Sequence, residues 1–398
     1  MTSAEAVDES ERKASIPWRS PGLYVAIATS LVAVMGVALI SPGLPALRRA
    51  LALTDAQAGL VLTVFSMPSI VLAPVMGVLV DRYGRRIVLI PCLVGYGVTG
   101  AAVAFTPSFS AILVLRFLQG CAASGLLTLS LTLIGDLFDG PRRNAVMGLN
   151  AAAMTGGVAV YPILGGLLAD IAWNVPFAAY GVSVFIGAVA FAVLEEPTVE
   201  QSRFGLEYFR GTVARITTGS GLALYGAVFL TFFVFFGAIN TSIPFLLEQD
   251  YALSASVIGL VLSVPLVMST FVALTNGRLA RYLSNGRLIG IGFVGYGIGL
   301  AGIWMTESAM GVAATLVVLG AGYGLIVPSL DTGISGLAPD AFRGGVMSLR
   351  LSVKKVGQTI GPVLFPLVAA VAGYPRLLLI TGLLTAIVGF VTAWISHR

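Results

Sequence analysis

Five ionisable residues stand inside otherwise apolar runs: Arg116, Asp331, Arg350, Lys354 and Lys355. A charge placed at the centre of a membrane helix costs about 2.5–3.5 kcal/mol on insertion scales, so such residues face protein or water and mark ion or substrate paths. A carboxylate that alternates between a neutral form and a paired one can couple proton movement to a conformational change. Asp331 closes one apolar run and Arg350 opens the next, so the two should lie at similar depth and pair. Arg350 and Lys354 are one helical turn apart and share a face. Lys354 and Lys355 are offset by about 100°, so they should not point the same way. Two readings stay open: a structural ion pair with one lysine reaching for the interface, or a cationic rim on a cavity with Asp331 titrating. Arg116 divides in the same way, between snorkelling to a surface and tuning a proton site or holding an anion in the cavity. Asn240, among Phe232, Phe233, Phe235 and Phe236, either lines that cavity or packs helices. Buried cations outnumber acids, which favours neutral, zwitterionic or anionic molecules at any site these residues line.

Other chemistries lack their residues. The one histidine, His397, is next to the C-terminus, and the two cysteines, Cys92 and Cys121, sit in apolar runs. No catalytic pair, metal site, disulfide framework or cofactor is expected. Gly297 to Gly302 fits G-x-G-x-x-G but lies within an apolar run, where small-residue packing explains it better than dinucleotide binding.

The elements that must hold these charges are membrane helices. The chain has 398 residues, 57% hydrophobic and only 10% charged, against about 25% charged in soluble domains. That excludes an ordinary soluble enzyme, a disordered chain and a nucleic-acid binder. Twelve runs reach the roughly 20 apolar residues that span a bilayer: 22–44, 57–80, 87–106, 109–135, 144–170, 174–194, 221–247, 255–280, 288–306, 309–336, 344–371 and 375–396. They are apolar on all sides, so helices rather than barrel strands are expected. With the N-terminus in the cytosol, Arg48, Arg49 and Arg376 are the only basic residues assigned to outer loops. Both termini are therefore placed in the cytosol. Residues 1–21, polar and mixed in charge, read as a cytosolic tail rather than a cleavable signal.

The second half echoes the first at an offset of 200. Gly59-Leu60-Val61-Leu62 returns as Gly259-Leu260-Val261-Leu262, Gly95-Tyr96-Gly97 as Gly295-Tyr296-Gly297, and Gly157 and Pro162 as Gly357 and Pro362. Thr54 begins a capping box with Gln57, and Ser254 stands at the matching place. The expected fold is an all-α membrane protein of twelve transmembrane helices in two six-helix bundles related by a parallel repeat. Residues 22–194 form the first bundle, 195–220 a polar cytosolic linker and 221–398 the second bundle.

Gly77-Val78-Leu79-Val80-Asp81-Arg82-Tyr83-Gly84-Arg85-Arg86 matches every fixed position of G-x-L-x-D-R-x-G-R-R, and so resembles the signature loop of the major facilitator superfamily. The resemblance extends over nearly the whole chain. It implies that Asp81 sits at the start of the eleventh helix, near Gly344 and Gly345, and that Arg85 pairs with Asp136. Together with Gly77, Arg82, Gly84 and Arg86 these would form a latch for the outward-facing state. Arg116-Phe117-Leu118-Gln119-Gly120 resembles the family's R-x-x-Q-G. Gly148, Gly157, Pro162, Gly165 and Gly166 resemble its antiporter motif, except that Tyr161 stands where glycine is expected. Pro42-Gly43-Leu44-Pro45 looks like the P-x-L-P of twelve-span drug:proton antiporters.

The resemblance implies a secondary transporter of the inner (plasma) membrane, acting as a monomer within the lipid bilayer by alternating access. It would export a small organic molecule or drug in exchange for protons, with the proton gradient in place of a cofactor. Alternatives are a proton-coupled importer or an amphiphile transporter of the same fold. Less favoured are a non-transporting receptor and an intramembrane enzyme.

Overall fold

The computed structural model describes residues 16–195, 218–337 and 339–395. Most of the tail and nearly all of the linker expected at 195–220 lie outside these. The described residues form twelve helices long and apolar enough to cross a membrane. They are α1 (Pro21–Ala50), α2 (Asp55–Ser66 continuing as Pro68–Tyr83), α3 (Arg85–Phe105), α4 (Phe109–Leu137), α5 (Gly140–Ile171) and α6 (Val175–Val193). The second set is α7 (Gly219–Tyr251), α8 (Ala255–Leu279), α9 (Asn285–Met305), α10 (Ala309–Ser335), α11 (Asp340–Ala372) and α12 (Tyr374–Ile395).

The two sets repeat the same packing. α3 lies against α4 and α6, and α9 lies against α10 and α12. The glycines of the dinucleotide-like string serve these contacts: a Cβ at Gly297 would run into α12, and one at Gly299 into Leu319 of α10. The bundles meet through α2 against α11 and α5 against α8. At the first crossing a Cβ on Gly59 would collide with the carbonyl oxygen of Pro362; at the second, one on Gly259 would collide with that of Pro162. One turn further, Thr63 Oγ1 donates to Thr359 O at 2.7 Å and Ser263 Oγ to Ala159 O at 2.7 Å. Every partner in one crossing is the partner in the other, shifted by 200 residues. The sequence repeat is thus a pseudo-two-fold relation at the interface itself.

The end of the molecule that carries the α1–α2 loop is closed. Arg48 bonds Asp55 at 2.7 Å and Glu248 at 2.8 Å, Arg49 reaches the other oxygen of Glu248 at 2.8 Å, and Tyr374 Oη donates to Asp55 at 2.6 Å. Thr54 forms the expected capping box with Gln57. Ser254 does not repeat it, because its hydroxyl turns to Ser256. The α8 N-terminus is capped by the other bundle: Asp170 accepts from Ala255 N at 2.9 Å and Ser256 N at 3.1 Å. A carboxylate suits that position because the first N–H groups of a helix are unpaired and carry its positive dipole end. At the opposite end no ion pair joins the two bundles among the described residues, and a Cβ on Gly77, Gly148 or Gly277 would meet nothing.

Candidate functional site

Between the bundles lies a cavity of about 400 Å³, within the 300–1,000 Å³ of small-molecule sites. Its walls combine aromatic rings (Phe65, Phe232, Phe235, Phe236, Tyr323) with hydroxyl and amide groups (Ser66, Ser69, Ser124, Thr155, Asn240, Gln358) and two ammonium groups, Lys354 and Lys355. The rings of Phe232, Phe235, Phe236 and Tyr323 form a continuous cluster. Phe235 stacks on Tyr323 with centroids 4.6 Å apart, and Phe232 meets Tyr323 edge-on at 6.3 Å.

Helix α11 supplies the charge. Arg350 is buried and forms an ion pair with Asp331 of α10, as the matched depths predict. The Asp331 side chain is 42% exposed, so the pair remains within reach of solvent. One turn along, Lys354 faces the cavity with Nζ 4.7 Å from the centre of the Phe232 ring, a cation–π contact. Lys355 lines the same cavity, which corrects the expectation that adjacent lysines diverge. The helical offset does part the Cβ directions, but the cavity wall takes in both side chains.

Arg116 is in neither of the expected places. It is fully buried, yet it is absent from the cavity wall. Its guanidinium donates to Gly36 O at 2.9 Å, Val61 O at 3.2 Å and Gln119 Oε1 at 2.7 Å, under the ring of Phe65 at 4.2 Å. Phe65 stands between it and the cavity. The side chain ties α4 to backbone carbonyls of α1 and α2, which need donors wherever a neighbouring helix displaces solvent. The R-x-x-Q spacing serves this directly, since Gln119 is one turn from Arg116 and accepts from it.

Asn240 lines the cavity and lies in a π-helical stretch, Phe235–Ser242. There Thr241 and Ser242 hydroxyls bond carbonyls five residues back, at 2.8 and 2.9 Å. The Asn240 carbonyl accepts from Ser41 of α1 at 2.6 Å, a second tie at the closed end.

In the loop between α2 and α3, Gly84 has φ +95° and ψ 161°, a backbone shape that glycine adopts freely and other residues avoid. Arg85 Nε lies 2.7 Å from Asp136 Oδ2. Arg86 donates to Phe191 O at 2.7 Å, and Arg82 lies over the Tyr83 ring. The side chain of Asp81 and the surroundings of Gly344 lie outside the described residues.

On α5, Gly165 and Gly166 abut backbone carbonyls of Leu39 and Ala255, and Gly157 abuts the Leu31 side chain. A Cβ on Gly148 would meet nothing. Tyr161 does not force α1 away: its ring lies along the helix and its hydroxyl donates to Leu31 O at 3.1 Å.

Sequence reasoning missed Gln358, Tyr323 and the closed-end network of Arg48, Arg49, Asp55, Asp170, Glu248 and Tyr374. A signal for the network existed. Arg48 and Arg49 stand almost alone among outer-loop cations, and Arg48 pairs with the residue 200 positions on, Glu248.

Comparison with known proteins agrees with this architecture. The chain matches the Major Facilitator Superfamily over residues 26–246 and 224–398. It is 30% identical over 354 residues to the bacillibactin exporter of Bacillus subtilis (strain 168), covering 84% of this chain and 86% of that one. It is 26% identical over 355 residues to the class C tetracycline resistance protein of Escherichia coli, covering 86% and 88%. Among solved structures, a bacterial homolog of the human lysosomal transporter Spinster superposes with a TM-score of 0.80 at 14% identity, covering 96% and 97% of the two chains.

Proposed function

The chain belongs to the major facilitator superfamily and is a multi-pass membrane transporter, and from that premise we propose that it exports a small organic molecule in exchange for protons. The closed end faces outward and the open end faces the cytosol. Arg82, Arg85, Arg86, Arg142, Arg143, Arg278, Arg281 and Arg287 then lie on the cytosolic side, as the positive-inside rule asks. The working unit is a monomer in the plasma membrane with both termini in the cytosol. Relatives that are an exporter and resistance proteins support outward transport.

The observation that carries the coupling is the Asp331–Arg350 pair, buried on the arginine side and open to solvent on the carboxylate side. Protonation of Asp331 cancels its attraction for Arg350 and leaves a cation beside Lys354. Proton binding at Asp331 and rearrangement of the Arg350 contact then meet at one helix junction, α10 with α11. During outward excursions the loop around Gly77, Asp81, Arg82, Gly84, Arg85 and Arg86, steadied by Asp136, acts as the cytosolic latch. One proton moving down 100 mV supplies about 2.3 kcal/mol, equivalent to roughly a fifty-fold concentration ratio.

The test uses everted vesicles energised to an acidic lumen and a panel of organic cations, anions and neutral compounds. Export predicts that a compound accumulates in the lumen while luminal pH rises, and that Asp331→Asn abolishes both. Accumulation without proton movement would retain export and remove Asp331 as the coupling group. Uptake confined to right-side-out vesicles would reverse the direction.

A further inference from the structure

We infer that the cargo is an aromatic organic anion, held by its negative group between Lys355 and Gln358 and by its ring against Phe232 and Tyr323. The inference rests on the transport reading above and assigns the substrate class of that same cavity. Three observations lead to it. First, the cavity wall carries two cations and, among the described residues, no carboxylate. Asp331 is not part of the wall and is already engaged by Arg350. Second, Lys354 has a ring partner, while no hydrogen bond or ion pair to Lys355 Nζ is found among the described residues. Third, Gln358 is only 6% exposed and its amide, which has no hydrogen-bond partner among the described residues, stays accessible from the cavity. Buried amides ordinarily have partners, and a cation inside a membrane protein costs several kcal/mol unless something meets it. Gln358 lies three residues beyond Lys355 on α11, so one anionic group can accept from both. The adjoining wall of Phe232, Phe236 and Tyr323 offers faces and edges for an aromatic body.

The charge sign also sets the electrical character of the cycle. A monoanion leaving as a proton enters moves two charges per turnover, whereas a monocation exchanged for a proton moves none. Anion export is therefore driven by membrane potential as well as by the pH gradient.

The experiment measures binding to the purified full chain with two fluorescent probes of matched size. One is dansylglycine, an anion; the other is a dansylamide bearing a trimethylammonium group. The anion is expected to bind at least ten-fold more tightly. Lys355→Gln should weaken it about 10- to 100-fold, the range of a lost charge-assisted hydrogen bond, and Lys355→Arg should restore much of the loss. Lys355→Gln should leave cation binding unchanged or stronger. Equal or tighter binding of the cation, failure to bind the anion, or an anion preference that survives Lys354→Gln/Lys355→Gln would overturn the assignment. Everted vesicles separate the two readings. A cation pumped against protons leaves export standing and the anion class refuted. Lysine-dependent anion binding with nothing pumped leaves the class standing and export refuted. Collapsing the potential with valinomycin and potassium at fixed pH gradient should slow anion accumulation.

Discussion

Helices α5 and α11 occupy equivalent places in the two bundles, and they match where they touch the opposite bundle but differ where they face the cavity. At the crossings, Pro162 and Pro362 offer their carbonyls to Gly259 and Gly59, and Ala159 and Thr359 accept from Ser263 and Thr63. At the cavity side, Arg350, Lys354 and Lys355 on α11 stand where α5 has Asn150, Met154 and Thr155. Backbone-to-backbone contact tolerates few residues, so both copies keep the same small or hydroxylated side chains there. Charge inside a membrane is costly wherever it is placed, and a single set suffices for one cargo path. The pivots are symmetric and the chemistry is on one side.

That contrast can be broken at either end. The largest effect is expected from Gly59→Val and Gly259→Val, each of which drives a side chain into a carbonyl at a crossing. Both should cut transport to below about a tenth, because overpacking of close contacts costs about 1–3 kcal/mol and the closed end cannot form. Equal losses in vesicle assays would support symmetric pivots; loss at one glycine only would refute them. Next, Arg116→Leu removes three hydrogen bonds from a fully buried group, leaving the Val61 carbonyl without its side-chain donor and the Gly36 carbonyl with Tyr180 alone. It should lower stability by about 2–4 kcal/mol, read as a drop in Tm in detergent. Lys355→Met should do the reverse, raising Tm while transport falls, since an uncompensated cation is replaced by an apolar side chain of similar length. The smallest effects belong to Thr63→Ala and Ser263→Ala, at about 0.6 kcal/mol each for an interhelical hydrogen bond, equal within error in thermal melts.

Much of this was legible from residues alone. The offset of 200 foretold the paired crossings because close helix contact restricts residue choice. Asp331 and Arg350 could be matched in depth by counting from helix ends. Arg116 was misread because its partners are backbone carbonyls of distant helices, and a carbonyl leaves no mark in a sequence. Lys355 was misread because the direction of Cβ does not fix where a four-carbon stem ends. The Asp170 cap on α8 was invisible for a related reason: the capping residue lies 85 positions away from Ala255, in the other bundle.

The most direct test of rocking about fixed crossings is a set of distances between spin labels in bilayers. Cys92 and Cys121 are first replaced by serine. One pair of labels, Ala50 with Asp250, spans the closed end; a second, Tyr83 with Tyr282, spans the open end; a third, Leu164 with Leu260, flanks the α5–α8 crossing. Between Asp331 and its neutral mimic Asp331→Asn, the first distance should lengthen and the second shorten, while the third stays constant. If both ends move in the same sense, or if Leu164 and Leu260 separate, the crossings are not pivots and the account fails.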